Sequence, residues 1–371
     1  MSRVLVIGGW PPSLVKFRGR LLKAMLERGH EVIACAGGKD ATVEDTLLDM
    51  GVHYVPLPLE RTSLNPLSDL RLLWKLMRLM RKIRPDMVLT YTIKPVIYGM
   101  LIARLVGVRQ RYAMITGLGY TFISSTSFKP RLLGFLVRFL YRFALAGARA
   151  VFFQNNDDLE LFCEQGLIQN KDRTQRIMGS GVDLDYFSAT PLPSGPLVFL
   201  LIARLLTDKG IREFVDAARM VRQVCSEPRF AVLGPFDNNP AAIDCYEVEQ
   251  WVNEGVVDYW GETDDVRPYL ERCSVFVLPS YREGMPRSVL EAMAMGRPII
   301  TTDVPGCRDT VDLGINGYLV AERDATALAK AMHDLAQNDS LDAMGKASRR
   351  LAEQHFGVES VNRVLLEVMG L

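Results

Sequence analysis

The chain has 371 residues, of which 49% are hydrophobic and 23% charged, and its formal net charge at pH 7 is +1. At roughly 100–200 residues per domain, this length predicts two domains, or three at most. The apolar fraction suffices for large cores, which excludes a disordered chain, a collagen-like repeat and a disulfide-stapled miniprotein. The six cysteines lack any metal-ligand spacing, so we expect reduced thiols in a cytoplasmic protein.

The net charge combines two halves of opposite sign. Residues 1–190 contain 26 Lys and Arg against 16 Asp and Glu, a net +10, whereas residues 191–371 contain 18 against 27, a net −9. Within residues 51–150 the count is 16 basic to 3 acidic side chains. A near-neutral total therefore does not exclude an anionic partner for the first half.

Short apolar runs alternate with amphipathic helical stretches along the whole chain. In the first half, strands are predicted at residues 4–7, 31–36, 53–57, 87–91 and 112–115, and helices at 14–28, 65–82 and 95–105. In the second half, strands are predicted at residues 197–203, 230–233, 256–260, 275–278 and 298–301. Continuous apolar strands between helices are typical of parallel sheets covered on both faces. The pattern predicts an α/β fold with two Rossmann-like, doubly wound domains facing a cleft.

The boundary between the two halves is predicted at residues 179–196, which carry three prolines, three glycines and four Ser or Thr residues. We therefore expect a first domain at 1–178, a linker at 179–196 and a second domain at 197–355. The first residues read as a buried strand rather than a signal peptide. No run of apolar residues is long enough to predict a transmembrane helix.

The turn after the first strand does not favour a dinucleotide site. It reads Gly8-Gly9-Trp10-Pro11-Pro12, which lacks G-x-G-x-x-G, and its prolines have no amide hydrogens to offer a pyrophosphate.

The most informative stretch is PSYREGMPRSVLEAMA at residues 279–294, where a predicted strand gives way to a helix. Gly284 permits an open turn, and the amides at the start of the helix can bind an anion such as a diphosphate. Glu283 and Glu291 offer carboxylates for sugar or ribose hydroxyls. For isolated glutamates, a capped and solvated helix start is the alternative.

Two cations form the second element. Arg204 ends a buried strand and Lys209 opens the following helix. Ligands of open α/β sheets bind at the carboxyl ends of strands. Arg204 and Lys209 are therefore suited to a diphosphate leaving group, whose developing charge they would neutralise. Surface ion pairing is the alternative for either residue alone.

These motifs carry a family resemblance. The patterns R-x4-K-G at residues 204–210 and S-Y-R-E-G-x-P-x4-E-A-M-A-x-G-x-P-I-I at residues 280–300 resemble the nucleotide-sugar site of glycosyltransferase family 4, retaining enzymes with the GT-B fold. The likeness extends to residues 153–157, 179–183, 302–307 and 316–319. Residues 12–19, 63–66, 91–95 and 116–119 are similar to a narrower group that extends undecaprenyl-diphosphate-linked sugars.

The resemblance assigns roles to individual residues. It implies that Arg204 and Lys209 hold the donor diphosphate, Glu283 the transferred sugar and Glu291 the ribose, and that residues 356–371 pack back on the first domain. The remaining donor-site residues are Ser13, Gly234, Gly284, Met285 and Pro286, and the acceptor-site residues are Arg18, Lys94, Thr116, Gly117 and Gly119. Many family members place a histidine near the donor sugar, where this chain has Thr90-Tyr91-Thr92.

The implied activity is transfer of an N-acetylhexosamine or a hexose from a UDP-sugar to an undecaprenyl-diphosphate-linked sugar, in the synthesis of bacterial surface or glycoprotein glycans. The nucleotide sugar is the donor, with UDP favoured by analogy, and no further cofactor is expected. Three alternatives stay open. They are a nucleotide-sugar 2-epimerase on the same fold, a transferase with a soluble acceptor, and a silent subunit that only binds partners.

Two features bear on the mechanism. Residues 87–156 contain no Asp or Glu, so the first domain lacks a carboxylate nucleophile for double displacement, which favours front-face transfer. The stretch Asp183-Leu184-Asp185 resembles a D-x-D metal motif, but its place in the linker favours turn chemistry. We therefore expect no metal requirement and activity that survives chelation.

Two basic amphipathic stretches stand out in the first domain. Phe135, Phe139 and Phe143 recur at helical spacing beside Arg131, Arg138 and Arg142, and a second stripe consists of Arg71, Lys75, Arg78 and Lys82. Such helices can lie on an anionic membrane, and the expected location is the inner face of the cytoplasmic membrane. A core helix with a solvated basic face is the alternative. The chain lacks nucleic-acid-binding signatures, so no nucleic-acid partner is expected.

Overall fold

The computed structural model describes residues 1–60, 65–118, 128–237 and 239–371, and for residues 128–133 it describes the backbone alone. The chain divides into two units, one of residues 1–180 and 359–371 and the other of residues 181–358. Each unit is built on one parallel sheet with helices on its faces. The prediction of two Rossmann-like domains is confirmed.

Unit 1 contains a seven-stranded sheet in the order β3-β2-β1-β4-β5-β6-β7, with every neighbouring pair parallel. The strands are β1 Arg3–Ile7, β2 Glu31–Gly37, β3 His53–Leu57, β4 Met87–Tyr91, β5 Gln110–Ile115, β6 Ala150–Phe153 and β7 Thr174–Arg176. The helices are α1 Pro12–Lys16, α2 Gly19–Glu27, α3 Ala41–Asp49, α4 Pro66–Ile83, α5 Met100–Leu105, α6 Phe128–Leu145 and α7 Asn156–Glu164. A wide π-helical turn, Pro95–Gly99, leads into α5, and a 3₁₀ turn, Lys171–Arg173, precedes β7.

Unit 2 contains a six-stranded parallel sheet in the order β10-β9-β8-β11-β12-β13. The strands are β8 Val198–Ile202, β9 Arg229–Leu233, β10 Asp258–Tyr259, β11 Val275–Leu278, β12 Ile299–Thr302 and β13 Gly317–Val320. The helices are α8 Ile211–Val224, α9 Cys245–Asn253, α10 Arg267–Glu271, α11 Arg287–Ala294, α12 Ala325–Ala336 and α13 Leu341–Leu351, followed by the π-helical turn Ala352–Phe356. The last helix of the chain, α14 Val358–Met369, belongs to unit 1 apart from its first residue. Short 3₁₀ turns lie at Thr207–Lys209 and Arg308–Thr310.

The sheet of unit 1 separates two helical layers. Along β1, Val4 and Val6 pack with residues of α2, α3 and α14, whereas Leu5 and Ile7 pack with α4 and α5. Because alternate side chains of a strand point to opposite faces, α4 and α5 lie across the sheet from α2, α3 and α14. The chain end is held on unit 1 by the Tyr112 hydroxyl, which donates to the Met369 carbonyl at 3.1 Å.

The prediction of one helix over residues 14–28 is wrong. The structure has two helices, α1 and α2, separated at Phe17 and Arg18. Arg18 leaves helical geometry, with φ −121° and ψ −7°, and its buried guanidinium lies 5.1 Å from the centre of the Tyr91 ring. Helical spacing of apolar residues cannot reveal a break that turns a cation inward. The strand predicted at residues 256–260 is also shorter, with two residues in the sheet.

Residues 181–196 belong to unit 2, where two arginine side chains donate hydrogen bonds to them. The Arg297 side chain is fully buried and donates to the Pro191 carbonyl at 3.0 Å and to the Thr190 hydroxyl. Arg349 donates to the Phe187 carbonyl at 2.9 Å. This proline- and glycine-rich stretch is therefore attached to unit 2 by side-chain hydrogen bonds. Among the described residues, no helix is long and apolar enough to cross a membrane.

Candidate active site

The order of strands in unit 2 places two loops side by side. β8 and β11 are neighbours, and the chain leaves β8 toward β9 on one side and β11 toward β12 on the other. The crevice beyond the carboxyl ends of such a strand pair is where open α/β sheets bind ligands. The loop after β8 carries Arg204 and Lys209, and the loop after β11 carries Glu283.

A largely buried ion pair joins these two loops. The Lys209 ammonium lies 2.5 Å from Oε1 of Glu283, and the two side chains are 15% and 17% exposed. The Ser280 hydroxyl donates to the same carboxylate oxygen at 2.8 Å. The Tyr281 amide donates to the Asp208 carbonyl at 2.9 Å, which also ties the loops together through the backbone. The structure thus brings together two residues that lie 74 positions apart in sequence.

The charge state of Lys209 follows from its surroundings. Burial by itself lowers the pKa of the ammonium, but the carboxylates of Glu283 and Asp208 outweigh this, and the pKa lies above its usual value. Lys209 therefore stays protonated at neutral pH. Burial and the nearby Glu283 carboxylate raise the pKa of the Cys307 thiol to about 12, so this cysteine is a neutral side chain beside the pair.

Arg204 forms a separate and more exposed pair. Its Nη1 lies 2.6 Å from Oδ2 of Asp237, a residue in the loop after β9, and the arginine side chain is 46% exposed. Asp237 also accepts a hydrogen bond from the Asn239 amide at 2.9 Å. Sequence reasoning missed Asp237, because no motif marks it and its contact with Arg204 depends on strand order. Arg204 thus presents a charged guanidinium at the surface of the same sheet edge.

The loop after β12 packs against the turn from Glu283 to Pro286. The Glu283 amide donates to the Pro305 carbonyl at 3.1 Å, and Gly284, Met285 and Pro286 are all buried. Gly306 approaches so closely that a Cβ there would lie 2.6 Å from the carbonyl oxygens of both Glu283 and Gly284. The turn therefore depends on a glycine twenty residues downstream of it.

Glu291, which the resemblance assigns to the ribose, lies inside α11. Its Oε1 lies 2.7 Å from Nε of Arg287 one turn earlier, and its side chain is 12% exposed. The positive charge of the Arg287 guanidinium offsets the desolvation cost of the Glu291 carboxylate in this largely buried position.

Gly234, predicted to bind the donor, follows β9. Its amide donates to the Gly261 carbonyl at 2.8 Å, and its carbonyl accepts from the Tyr259 hydroxyl at 2.9 Å. Both backbone groups are thus used within unit 2.

Unit 1 has the same kind of strand junction between β1 and β4. Ser13 follows β1, and its hydroxyl lies 2.8 Å from the Tyr91 hydroxyl at the end of β4. Arg18 lies over the Tyr91 ring, and all three side chains are buried. Burial raises the pKa of Tyr91 to about 12, so the phenol is neutral and can donate or accept a hydrogen bond. The structure brings Ser13 and Arg18 together around Tyr91. This tyrosine lies in the stretch where many family members place a histidine.

Thr92, directly after Tyr91, has an unusual backbone. Its φ is +69°, a left-handed conformation that is strained for a β-branched residue. Its hydroxyl oxygen is buried and has no hydrogen-bond partner among the described residues. Strain of this kind concentrates at functional loops. Thr92 lies within the 91–95 motif, but the motif gave no indication of a strained backbone.

The other predicted acceptor residues lie at the ends of β4 and β5. The Lys94 ammonium lies 2.7 Å from Oδ1 of Asp69, whose second oxygen accepts from the Tyr98 hydroxyl at 2.7 Å. Thr116 and Gly117 follow β5 and are half-buried. Gly119 lies outside the described residues, as do Ser63 and Leu64 of the 63–66 motif.

The D-x-D stretch is a turn, as predicted. Oδ1 of Asp183 accepts hydrogen bonds from the amides of Asp185 at 3.2 Å and of Tyr186 at 3.0 Å. This carboxylate is thus engaged by backbone donors.

Comparison with family models matches most of the chain. Residues 196–338 match the model described as glycosyl transferases group 1, and residues 16–155 match the model described as glycosyl transferase 4-like.

Two characterised relatives align over most of their length. The chain is 30% identical over 343 residues to the N,N'-diacetylbacillosaminyl-diphospho-undecaprenol alpha-1,3-N-acetylgalactosaminyltransferase of Campylobacter jejuni, covering 89% of this chain and 88% of the relative. It is 25% identical over 324 residues to the UDP-Gal:alpha-D-GlcNAc-diphosphoundecaprenol alpha-1,3-galactosyltransferase of Escherichia coli, covering 84% and 82%.

Solved structures share the fold. Anabaena HepE in complex with UDP superposes with a TM-score of 0.79 at 17% identity over the full length of both chains. A glycosyltransferase of Rickettsia africae superposes with a TM-score of 0.77 at 19% identity, covering 99% of this chain and 97% of the other.

Two Rossmann-like units, each with charged or polar side chains at its central strand junction, define an enzyme of the GT-B class. The chain belongs to glycosyltransferase family 4, as the family models over both halves and the Campylobacter relative show. The predicted family and enzyme class are thus confirmed.

Proposed function

We propose that this chain is a retaining glycosyltransferase that moves an N-acetylhexosamine or a hexose from a UDP-sugar to an undecaprenyl-diphosphate-linked sugar, without a metal ion. The observation that carries the proposal is the buried Lys209–Glu283 pair at the β8–β11 junction. It combines a protonated amine for a diphosphate with a carboxylate for sugar hydroxyls. Both relatives support the acceptor class, since each acts on a sugar linked to diphosphoundecaprenol.

The donor is assigned to unit 2. A lysine ammonium has three N–H donors, so Lys209 can keep its contact with Glu283 and still donate to a phosphate oxygen. Arg204, half exposed at the same sheet edge, adds a second cation. Glu291 would accept from the ribose hydroxyls, while Gly234 and the turn of Gly284, Met285 and Pro286 complete the part of the donor site that unit 2 provides. UDP is favoured because the E. coli relative uses UDP-Gal and HepE was solved with UDP.

The acceptor is assigned to unit 1. Arg18 and Lys94 supply positive charge for the lipid diphosphate, and Thr116, Gly117 and Gly119 supply polar and backbone groups for the acceptor sugar. The net charge of +10 in residues 1–190 favours this division of labour, because a diphosphate acceptor is an anion. An acceptor of this kind is embedded in a bilayer, which supports a peripheral location on the inner face of the cytoplasmic membrane.

The chemical step proposed is front-face transfer. The acceptor hydroxyl oxygen forms a bond to the anomeric carbon of the sugar while the bond between that carbon and the β-phosphate oxygen breaks. The hydroxyl proton passes to the departing phosphate oxygen, whose charge Lys209 and Arg204 stabilise. Residues 87–156 provide no carboxylate nucleophile, and Glu283 is a poor one because Lys209 and Ser280 both engage its Oε1.

A UDP-release screen tests this function. Purified protein is incubated with individual UDP-, GDP- and ADP-sugars, with and without a short-chain prenyl-diphosphate-sugar acceptor, in buffer containing excess EDTA. We expect UDP release that requires both a UDP-sugar and the acceptor and that EDTA leaves unchanged. Arg204 and Lys209 supply the charge that a metal would otherwise provide, and Asp183 is engaged in a turn.

Three results would contradict the proposal. Release that is equal without acceptor indicates hydrolysis or epimerase chemistry, release that EDTA abolishes indicates a required metal, and release with soluble sugars alone indicates a different acceptor. An Arg204→Ala variant with unchanged release would remove Arg204 from the donor site.

A further inference from the structure

On one face of the unit 1 sheet, the helical layer of α4, α5 and α6 carries large apolar side chains on its solvent-facing side. In this layer α4 packs on α5 through Leu72, Leu76 and Ile102, and the π-helical turn before α5 packs on α6 through Val96 and Tyr141. The three helices are therefore neighbours on one face of the sheet, opposite α2, α3 and α14. Their outer surface is one continuous face of the unit.

Among the α6 side chains that the structure describes, four large apolar ones are exposed and form an aromatic strip, which we define as Phe135, Leu136, Phe139 and Phe143. Phe135 is 65% exposed, and the other three are each about half exposed. The Phe139 and Phe143 rings lie 4.7 Å apart, so they form one contiguous patch rather than scattered contacts. Besides basic side chains, this helix therefore exposes large apolar side chains to solvent. Contiguous exposed apolar patches on a folded chain mark interaction surfaces.

The same layer is strongly basic. Arg142 is exposed and Arg138 is half-buried beside the aromatic strip, and α4 presents the exposed side chains of Arg71, Arg78, Arg81 and Lys82. The Trp74 side chain of α4 is 57% exposed, and the Arg78 guanidinium lies over its ring, 5.4 Å from the ring centre. The acidic residues of positions 66–145 are Asp69 and Asp86. Asp69 is neutralised by Lys94, so the layer presents almost unopposed positive charge.

We propose that this outer face of α4 and α6 docks on an anionic phospholipid bilayer, with the aromatic strip in the headgroup–acyl boundary and the arginines on lipid phosphates. A bilayer satisfies both features at once, since amphipathic helices insert aromatic residues while their cations attract anionic lipid. A second copy meeting this face would bring like charges together. Nucleic acid would pair with the arginines but leave the strip in water. The inference rests on the proposed function, because it explains how the enzyme reaches a lipid-linked acceptor.

Flotation with vesicles tests the docking surface. Full-length protein is mixed with vesicles of phosphatidylglycerol and phosphatidylethanolamine, or of phosphatidylcholine alone, at about 0.1 M salt, where the screening length is about 10 Å. We expect binding to the anionic vesicles only. The Arg138→Gln/Arg142→Gln variant is expected to partition roughly thirtyfold less. The Phe135→Ser/Phe139→Ser variant is expected to partition at least about tenfold less.

Matched controls come from the opposite face of unit 1. Leu48→Ser removes a side chain of α3 that is 61% exposed, and Lys23→Gln/Lys39→Gln removes two exposed cations. Both controls are expected to float like the unchanged protein. Folding of every variant is checked by its thermal unfolding temperature. The inference is overturned if folded protein fails to bind anionic vesicles, if the aromatic variant binds as well as the controls, or if double-stranded DNA displaces the vesicles.

Transfer to a short-chain, water-soluble acceptor separates this inference from the proposed function. The aromatic and arginine variants are expected to keep that transfer, because none of the four residues lies in the assigned donor or acceptor sites. If the unchanged protein transfers the sugar but does not bind vesicles, the docking surface is refuted and the proposed function is not. If the unchanged protein binds vesicles but transfers no sugar, the proposed function is refuted and the docking surface is not.

Discussion

Replacing Lys209 with alanine is expected to lower kcat/KM for the nucleotide sugar roughly 10²- to 10³-fold, the usual cost of removing one preorganised charge from a leaving group. The loss is expected mainly in kcat, because the negative charge on the phosphate grows as the glycosidic bond breaks. Lowering the pH is not expected to alter the effect. The pKa of Lys209 is raised above its usual value, so its ammonium is fully formed at and below neutral pH.

Stability measurements separate chemistry from folding in this variant. Removing one partner of a fully buried pair costs about 3–5 kcal/mol, and the Lys209–Glu283 pair retains some exposure, so a smaller loss is expected. Adding Glu283→Gln removes the uncompensated carboxylate and should restore the unfolding temperature without restoring turnover. Lys346→Ala, which breaks an exposed pair with Asp342, is the matched control and should change neither. Turnover by Lys209→Ala within a few-fold of the unchanged enzyme would refute the assignment of the diphosphate to Lys209.

The second large effect is expected from Gly306→Ala, a residue with no functional group. Its φ is +80°, and the added Cβ would lie 2.6 Å from the carbonyl oxygens of Glu283 and Gly284. The turn must therefore move, carrying Glu283 away from Lys209. We expect kcat/KM to fall about tenfold to hundredfold, since small displacements of positioned groups have costs of this size. Stability should fall by about 1–3 kcal/mol.

Gly314 offers a matched control for this substitution. Its φ is +76°, but open space surrounds the position of its Cβ. Gly314→Ala therefore imposes the same backbone strain without displacing the turn, and steady-state kinetics should show unchanged kcat/KM at a modestly lower unfolding temperature. If the two variants lose activity equally, the contact of Gly306 with the Glu283 turn does not position the site.

The fold was predictable because parallel sheets have a strong local signature. Strands such as β4 and β11 are buried on both faces and consist almost wholly of apolar residues, so their runs are visible without any tertiary information. Interruptions were less visible. The break between α1 and α2 depends on Arg18 reaching the Tyr91 ring, a contact across 73 residues that the helical pattern does not encode.

The sequence singled out candidate site residues but not how their side chains are arranged. The sequence motifs singled out Lys209 and Glu283, and the family resemblance implied contacts with different parts of the donor, whereas the structure places the two side chains in contact. The partnership arises because β8 and β11 are neighbours in the sheet though distant in sequence. For the same reason, the contact of Asp237 with Arg204 could not be predicted from the sequence. In unit 1 the strained backbone of Thr92 had no signal at all, since threonine is not a residue that favours positive φ.

The most direct test of the account is the anomeric configuration of the product. Proton NMR can follow the reaction of a UDP-sugar with a short-chain prenyl-diphosphate-sugar acceptor as the product forms. The account predicts a diphosphate-linked disaccharide whose new linkage has the same anomeric configuration as the donor, formed together with an equal amount of UDP. An inverted linkage, or free sugar formed at the same rate without acceptor, would contradict it.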